Sequence, residues 1–228
     1  MAVIITTCNR PFLLKDLVEQ LKTQLKENDS IVIVNDGDEG SVNLRSENVY
    51  VVEHCKDYFA VASARNKGLK AAIDLGFKWG VFIDDDLILP NGWLKKHRKE
   101  WTDKNTIYAG KLVEGRDEDN DYRLSIYKDN KMTKLRLIQT GVVNFGIYLP
   151  YLLEDGGYDE SFDGQYGGED IEILYRLLVK GDWDIKYLPE AKAMNLRAPT
   201  SKEYTRNAMS NRKKLKSKVP EKYIWGDF

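Results

Sequence analysis

Short apolar runs alternate along this chain with stretches whose apolar residues recur every three or four positions. The runs "AVIITT" (2–7), "SIVIVND" (30–36), "VYVVEH" (49–54) and "GVFIDDD" (80–86) are rich in β-branched residues and predict four buried strands. Between the first two, Pro11 opens a helix with Leu14, Leu17, Val18, Leu21 and Leu25 on one face. "VASARNKGLKAAIDL" (61–75) predicts a second helix, closed by Gly76, and "GWLKKHRKEW" (92–101) a third. Strands alternating with helices predict an α/β fold, with a mostly parallel central sheet flanked by helices.

Beyond residue 100 the pattern is less regular. "DYRLSIY" (121–127) and "KLRLIQTGVVNFGIYL" (134–149) alternate enough to predict strands of a small antiparallel addition at the sheet edge. The acidic "EGRDEDND" (114–121) predicts an exposed loop. "EDIEILYRLLVKG" (169–181) predicts a helix with Ile171, Leu174, Leu177 and Leu178 on one face, and "DWDIKYLP" (182–189) a short strand after it. No internal repeat or linker interrupts the chain, so residues 1–200 read as one domain. Residues 201–228 read as a polar tail containing the basic run "NRKKLKSK" (211–218).

At 228 residues the chain can bury one substantial core, and a net charge of -1 gives no overall case for a polyanion partner. Cys8 and Cys55 form neither a disulfide framework nor a zinc spacing, which suits a reducing, cytoplasmic setting. No apolar run approaches the roughly 20 residues of a membrane span, and the N-terminus lacks a signal-peptide pattern. His54 and His97 lie in separate segments and make no metal-ligand spacing, so both are expected to be surface or core residues.

Ligands of an open parallel sheet collect beyond the carboxyl ends of its strands. Here those ends carry "TTCN", "NDGD" and "DDD". "NDGD" also reads as an ordinary turn, and "DDD" as a loop or helix cap. Yet three adjacent carboxylates after a buried strand repel one another and need compensation. Asp84 and Asp86, two apart on a strand, would point the same way and converge on one hard cation. Oxygen ligands favour Mg²⁺ or Mn²⁺ over zinc.

"GGYDESFDGQYGGEDIEILYRL" (156–177) holds a further signal. Glu169 and Asp170 suit the first turn of a helix through its caps and dipole. The two glycines before them are not explained that way; a glycine pair permits unusual backbone angles and close approach of a ligand. A carboxylate held there, facing a cation site, can act as a general base. "TGVVNFG" (140–146), with Asn144, is expected to line the ligand pocket.

Taken in order, "VIITTCNRP", "IVIVNDGD", "ASARNKGLKAA", "VFIDDDLILP", "GGYDESF" and "YGGEDIEILYRL" resemble a GT-A fold glycosyltransferase of the family 2 kind, over about residues 2–199. Among such enzymes the sequence is similar to chondroitin-polymerase and galactosyltransferase-like members with a Gly-Gly-Glu-Asp helix start. The resemblance implies a nucleotide-sugar donor, commonly a UDP-sugar. It implies that Thr6 and Thr7 line the nucleotide pocket, Asp36 hydrogen-bonds the uracil, and Arg65 and Asn66 sit near base and diphosphate. It implies a DXD-type metal motif, with Asp86 on the metal and Asp84 and Asp85 reaching ribose or metal-bound water. Asp170 would be the base of an inverting transfer, and Glu169 would hold sugar hydroxyls. Related enzymes often carry a histidine metal ligand after the last core strand; Asn195 stands there, so Asn195 or water would complete a weak Mn²⁺ or Mg²⁺ site.

Other readings differ from this one at definite points. A retaining transferase on the same fold would give the opposite product anomer. A nucleotidyltransferase would carry a glycine-rich loop after the first strand, which "TTCNRP" lacks. A non-catalytic sugar-nucleotide or glycan-binding module would not need the intact carboxylates. The basic tail reads as a solvated face, a flap over the donor, or a contact for an anionic acceptor, lipid head groups or nucleic acid. The acceptor, whether a glycan, lipid-linked or other hydroxyl, the donor sugar and the oligomeric state are not encoded in any motif.

Overall fold

The computed structural model describes residues 1–58, 60–114, 127–128, 131–132, 143–165, 167–196 and 210–225. The first strands are β1 (Ala2–Thr7), β2 (Ser30–Asn35), β3 (Val49–Glu53) and β4 (Trp79–Asp84), and β1 pairs in parallel with β2 on one side and β4 on the other. The apolar runs of β1, β2 and β4 are continuous because both faces of the sheet are covered there, while Tyr50 of the edge strand β3 is exposed. Val3 and Ile5 pack with helix α1 (Pro11–Lys22) and Trp93 and Leu94 of α3 (Trp93–Glu100). Ala2 and Ile4 turn to the other face, against α2 (Val61–Asp74). There the helix runs close to the sheet. A Cβ on Gly68 would meet Ile4 Cγ2 at 2.6 Å, so only glycine fits.

The remaining strands are β5 (Leu87–Ile88), β6 (Thr106–Glu114), β7 (Tyr127–Lys128), β8 (Lys131–Met132), β9 (Phe145–Tyr148) and β10 (Asp184–Asn195). The order across the sheet is β3-β2-β1-β4-β9-β6-β10-β8-β7, with β5 pairing to β10. The antiparallel addition expected at the edge is therefore also central, since β9 lies antiparallel between β4 and β6. All four residues of β9 are buried, as an interior strand requires. Most of "DYRLSIY", "KLRLIQT" and "EGRDEDND" lies outside the described residues.

Helix α4 (Leu149–Glu154) follows β9, and α5 (Glu169–Tyr175) continues into a π-helical turn over Arg176–Lys180. β10 runs well past Pro189, where the expected short strand ended. Its pairing with β6 shifts register between Leu188 and Ala193, and this irregularity absorbs the missing proline N–H. Two C-terminal helices, α6 (Ser210–Lys218) and α7 (Glu221–Trp225), place Leu215, Val219 and Ile224 in the core cluster that also contains Ile173 and Leu174 of α5. Among the described residues, no helix is long and apolar enough to cross a membrane.

Asn144 does not line a pocket; its side chain is fully buried. Its backbone takes a left-handed φ of 64°. Nδ2 donates to Lys111 O and Ala191 O at 2.9 Å each, so Oδ1 must accept from Trp93 Nε1 at 3.0 Å and His97 Nε2 at 2.7 Å. His97 is thus a neutral core histidine protonated at Nε2, and burial pushes its pKa down to about 4. The unfolded chain takes up this proton near pH 6.5 and the native protein does not until pH 4, so stability falls as pH drops through that window. Between pH 7.5 and 5 the wild type is expected to lose about 2 kcal/mol relative to His97→Phe. Urea unfolding of both proteins at the two pH values checks this; parallel losses refute it.

Candidate active site

The carboxyl ends of the parallel strands converge on a cluster of charged side chains. β4 ends at Asp84, so the two-residue alternation that would align Asp84 with Asp86 stops there. Asp85 turns inward, where Thr7 Oγ1 donates to Oδ2 at 2.7 Å and Arg10 Nη1 to Oδ1 at 3.0 Å. The same Arg10 nitrogen lies 3.5 Å from Asp86 Oδ2. Burial raises the pKa of Asp85, while the bonds from Thr7 and Arg10 oppose that rise. Thr6 sits in register between Val34 and Asp84, at the same strand ends.

Asp84 faces the other way, toward Arg65. Arg65 Nη2 lies 3.6 Å from Asp84 Oδ1, and Nη1 lies 3.4 Å from Glu169 Oε1 and hydrogen-bonds Asp170 Oδ1. The guanidinium stands 5.4 Å from the centre of the Tyr158 ring. Burial works against its charge, but Asp170, Asp84 and Glu169 outweigh that and hold it protonated. Burial also pushes Glu169 up to about 7, with Asp170 repelling and Arg65 opposing. It pushes Asp84 up to about 6, against Arg65 and reinforced by Asp86. The Asp84 side chain still keeps 35% of its surface, which leaves it open to a ligand. Five carboxylates (Asp84, Asp85, Asp86, Glu169, Asp170) thus share two guanidinium groups, and the surplus of negative charge helps raise these pKa values.

The glycine pair before Glu169 has a steric cause. Gly167 and Gly168 take φ of 81° and 106°, and a Cβ on Gly168 would approach Phe162 Cε1 to 2.7 Å. That turn lets α5 start with Glu169 and Asp170 aimed at Arg65, 104 and 105 residues earlier in the chain.

Other expected site residues have other partners. Asn66 holds the loop after α4: its Nδ2 donates to Tyr158 O and Glu160 Oε1 at 2.8 Å, and its Oδ1 accepts from Tyr158 N at 2.7 Å. Asp36 pairs with His54 Nδ1 at 2.7 Å, and burial raises its pKa while His54 opposes the rise. Asn195 closes β10 opposite Leu87, and Leu196 N donates to Asp86 O at 2.9 Å, which brings Asn195 beside the aspartate turn. Arg10 is absent from the expected site residues, and His54, expected as a surface or core residue, stands beside one of them. Both follow strands adjacent to those carrying their partners, so the strand order is the signal that would have found them.

The sequence profile described as glycosyl transferase family 2 matches residues 2–151. The chain belongs to glycosyltransferase family 2. No curated protein sequence matches it. Its GT-A fold is shared with GalNAc-T7, crystallised with UDP, GalNAc and Mn²⁺, at a TM-score of 0.69 and 13% identity, across 97% of this chain and 49% of that one. It is shared with S. aureus TarS (residues 1–349) in complex with UDP-GlcNAc, at a TM-score of 0.65 and 16% identity, across 88% of this chain and 59% of that one. The family 2 chain thus spans about half the length of GalNAc-T7 and three fifths of that TarS chain.

For a divalent metal the donor types fit, since Asp84 at the end of β4, Asp86 in the following turn and Asn195 at the end of β10 carry hard oxygens. The donor count is low. Among the described residues no three His, Cys, Asp or Glu side chains form a group that could hold a metal. A cation here would need oxygens from a bound phosphate to complete its shell.

Proposed function

We propose that this chain is a metal-dependent, inverting glycosyltransferase that moves a sugar from a UDP-sugar to an acceptor hydroxyl. The observation that carries the reading is the meeting at Arg65 of Asp84, from the strand-end aspartates, with Glu169 and Asp170 at the start of α5. One guanidinium links the acids proposed for the donor side to those proposed for the acceptor side, which holds the two halves of the site close together. The GalNAc-T7 and TarS structures, which hold UDP and UDP-GlcNAc, support a UDP-linked donor.

The residues divide the work. Thr6, Thr7 and Asp36 face the nucleoside at the ends of β1 and β2, Asp36 accepting the uracil N–H. Asp86 and Asp84, with Asn195 beside them, would hold Mn²⁺ or Mg²⁺, which when bound supplies charge stabilisation to the departing diphosphate. Arg65 holds Asp170 through Oδ1, leaving Oδ2 for the acceptor hydroxyl. The acceptor oxygen bonds the anomeric carbon as the bond to the diphosphate oxygen breaks. Its proton passes to Asp170, and the electron pair leaves on UDP. Attack opposite the leaving group inverts the anomeric centre. Glu169 binds sugar hydroxyls. The acceptor is a glycan or other hydroxyl carrier.

Calorimetry with UDP tests the donor half. Affinity is expected to fall by about tenfold or more when EDTA replaces Mn²⁺, and to become insensitive to metal in Asp86→Ala. Mn²⁺ without UDP is expected to bind about tenfold or more weakly than with it, because the phosphates supply the missing ligands. UDP affinity indifferent to metal in the wild type removes the cation from the mechanism. Absence of UDP binding removes the donor assignment. The product anomer, read by NMR, separates inversion from retention.

A further inference from the structure

The basic run that the sequence left without a task lies against the loop that joins the two sides of the site. Asn211, 1% exposed, donates from Nδ2 to Phe162 O at 2.9 Å and to Gln165 O at 3.1 Å, while its Oδ1 has no partner among the described residues. Lys214 donates to Ser161 O, Lys218 pairs with Asp159, and their ammonium groups stand 5.5 and 5.8 Å from the centre of the Phe162 ring. Phe162 is 1% exposed and is the side chain that would clash with a Cβ on Gly168. The same loop caps α2: Asp163 Oδ1 accepts from Ala62 N at 3.0 Å and its Oδ2 from Ser63 N at 3.2 Å. So residues 159–165 touch the start of the helix that carries Arg65 and the glycine that opens the helix carrying Glu169 and Asp170. α6 grips them through Asn211, Lys214 and Lys218.

We infer that α6 is a latch on this loop, and that Asn211 is a positioning residue that aligns Asp170 with Arg65 for the transfer step. The inference rests on the proposed transferase reaction. Asn211 touches no reacting group; it acts through Phe162 and the Gly167–Gly168 turn. A base displaced by about an ångström loses on the order of 10²-fold in rate while the nucleotide pocket, built on β1 and β2, is untouched. Of the basic run that reads as a solvated face in the sequence, Lys214, Lys216 and Lys218 engage the protein itself, while Lys213 is exposed.

Asn211→Asp tests this, because it keeps the shape while turning a double donor into an acceptor that faces two carbonyl oxygens. UDP release is followed with Mn²⁺ from UDP-glucose, UDP-GlcNAc, UDP-galactose, UDP-GalNAc and UDP-glucuronic acid, and the donor that the wild type turns over fastest is used. The latch predicts kcat lowered about 10- to 100-fold, with donor KM and UDP affinity within about twofold of wild type. With kcat expressed per UDP-binding site counted by calorimetry, a purely structural role would lower the melting temperature and the active fraction but leave that kcat at the wild-type value. If Asn211→Asp does not fold, the double variant Lys214→Gln, Lys218→Gln decides, with kcat expected to fall about three- to tenfold. Wild-type kcat in the folded variant, or a raised donor KM at wild-type kcat, overturns the latch alone. A wild-type chain that binds no UDP, or turns over none of these donors, overturns the transferase reading and the latch with it.

Discussion

Asp170→Asn is expected to lower the transfer rate by about 10²- to 10⁴-fold while changing UDP affinity less than about twofold. The amide keeps the size and planarity of the carboxylate, and its oxygen can still accept from Arg65 Nη1. What it lacks is the ability to take the acceptor's proton. Arg65 keeps Asp84 and Glu169 as counter-charges, so the fold around the donor is preserved. UDP has no contact to make with Asp170 if that residue serves the acceptor. Initial rates with a turned-over UDP-sugar, beside calorimetry with UDP and Mn²⁺, measure both halves. Glu169→Gln is the companion variant, expected to raise acceptor or donor KM more than it lowers kcat. A nearly unchanged rate in Asp170→Asn, with a collapse in Glu169→Gln, would move the base to Glu169. The pKa of that carboxyl, pushed up to about 7, would suit the task.

What could be read in the sequence follows from how each element is buried. β1, β2 and β4 are covered on both faces, and two-sided burial writes a continuous apolar run. α1 is covered on one face, which writes the stripe at Leu14, Leu17, Val18 and Leu21. β9 has four residues, and nothing in "FGIY" says that its neighbours are β4 and β6. α6 reads as a solvated face because most of its residues are charged; within it, among the described residues, only Asn211 and Leu215 are buried. In the site, the aspartate turn and the Gly-Gly-Glu-Asp start stood out by composition. Their shared partner did not, because contact between Arg65 and Asp170 spans 105 residues and depends on the Gly168 turn and the Asp163 cap. Asn195 reaches the aspartates only because β10 continues past Pro189 through a register shift.

Arg65→Met is expected to cost about 2–4 kcal/mol of stability near pH 8, measured by urea unfolding in EDTA. Methionine nearly fills the volume, so the loss is chiefly electrostatic: Asp84, Glu169 and Asp170 lose the one cation they share. The lower end of the range reflects Asp84 and Asp170, whose side chains keep 35% and 24% of their surface and can draw on water. Arg65→Lys is expected to recover less than half of the loss. A single ammonium cannot repeat a fork whose Nη2 lies toward Asp84 while Nη1 serves Glu169 and Asp170. The pH dependence has a definite sign. Glu169 and Asp84 already titrate near about 7 and about 6, above ordinary carboxylates, with Arg65 restraining both. Without that restraint their folded pKa values climb further, so the folded variant holds protons that its unfolded chain has released. Stability must then fall as pH rises from the unfolded carboxylate range through the raised folded values. The deficit against wild type should accordingly be largest near pH 8 and shrink toward pH 5, where both carboxyls are neutral in the fold. An equal deficit at the two pH values would mean that Arg65 is held for its packing on Tyr158 and not for the charges it separates.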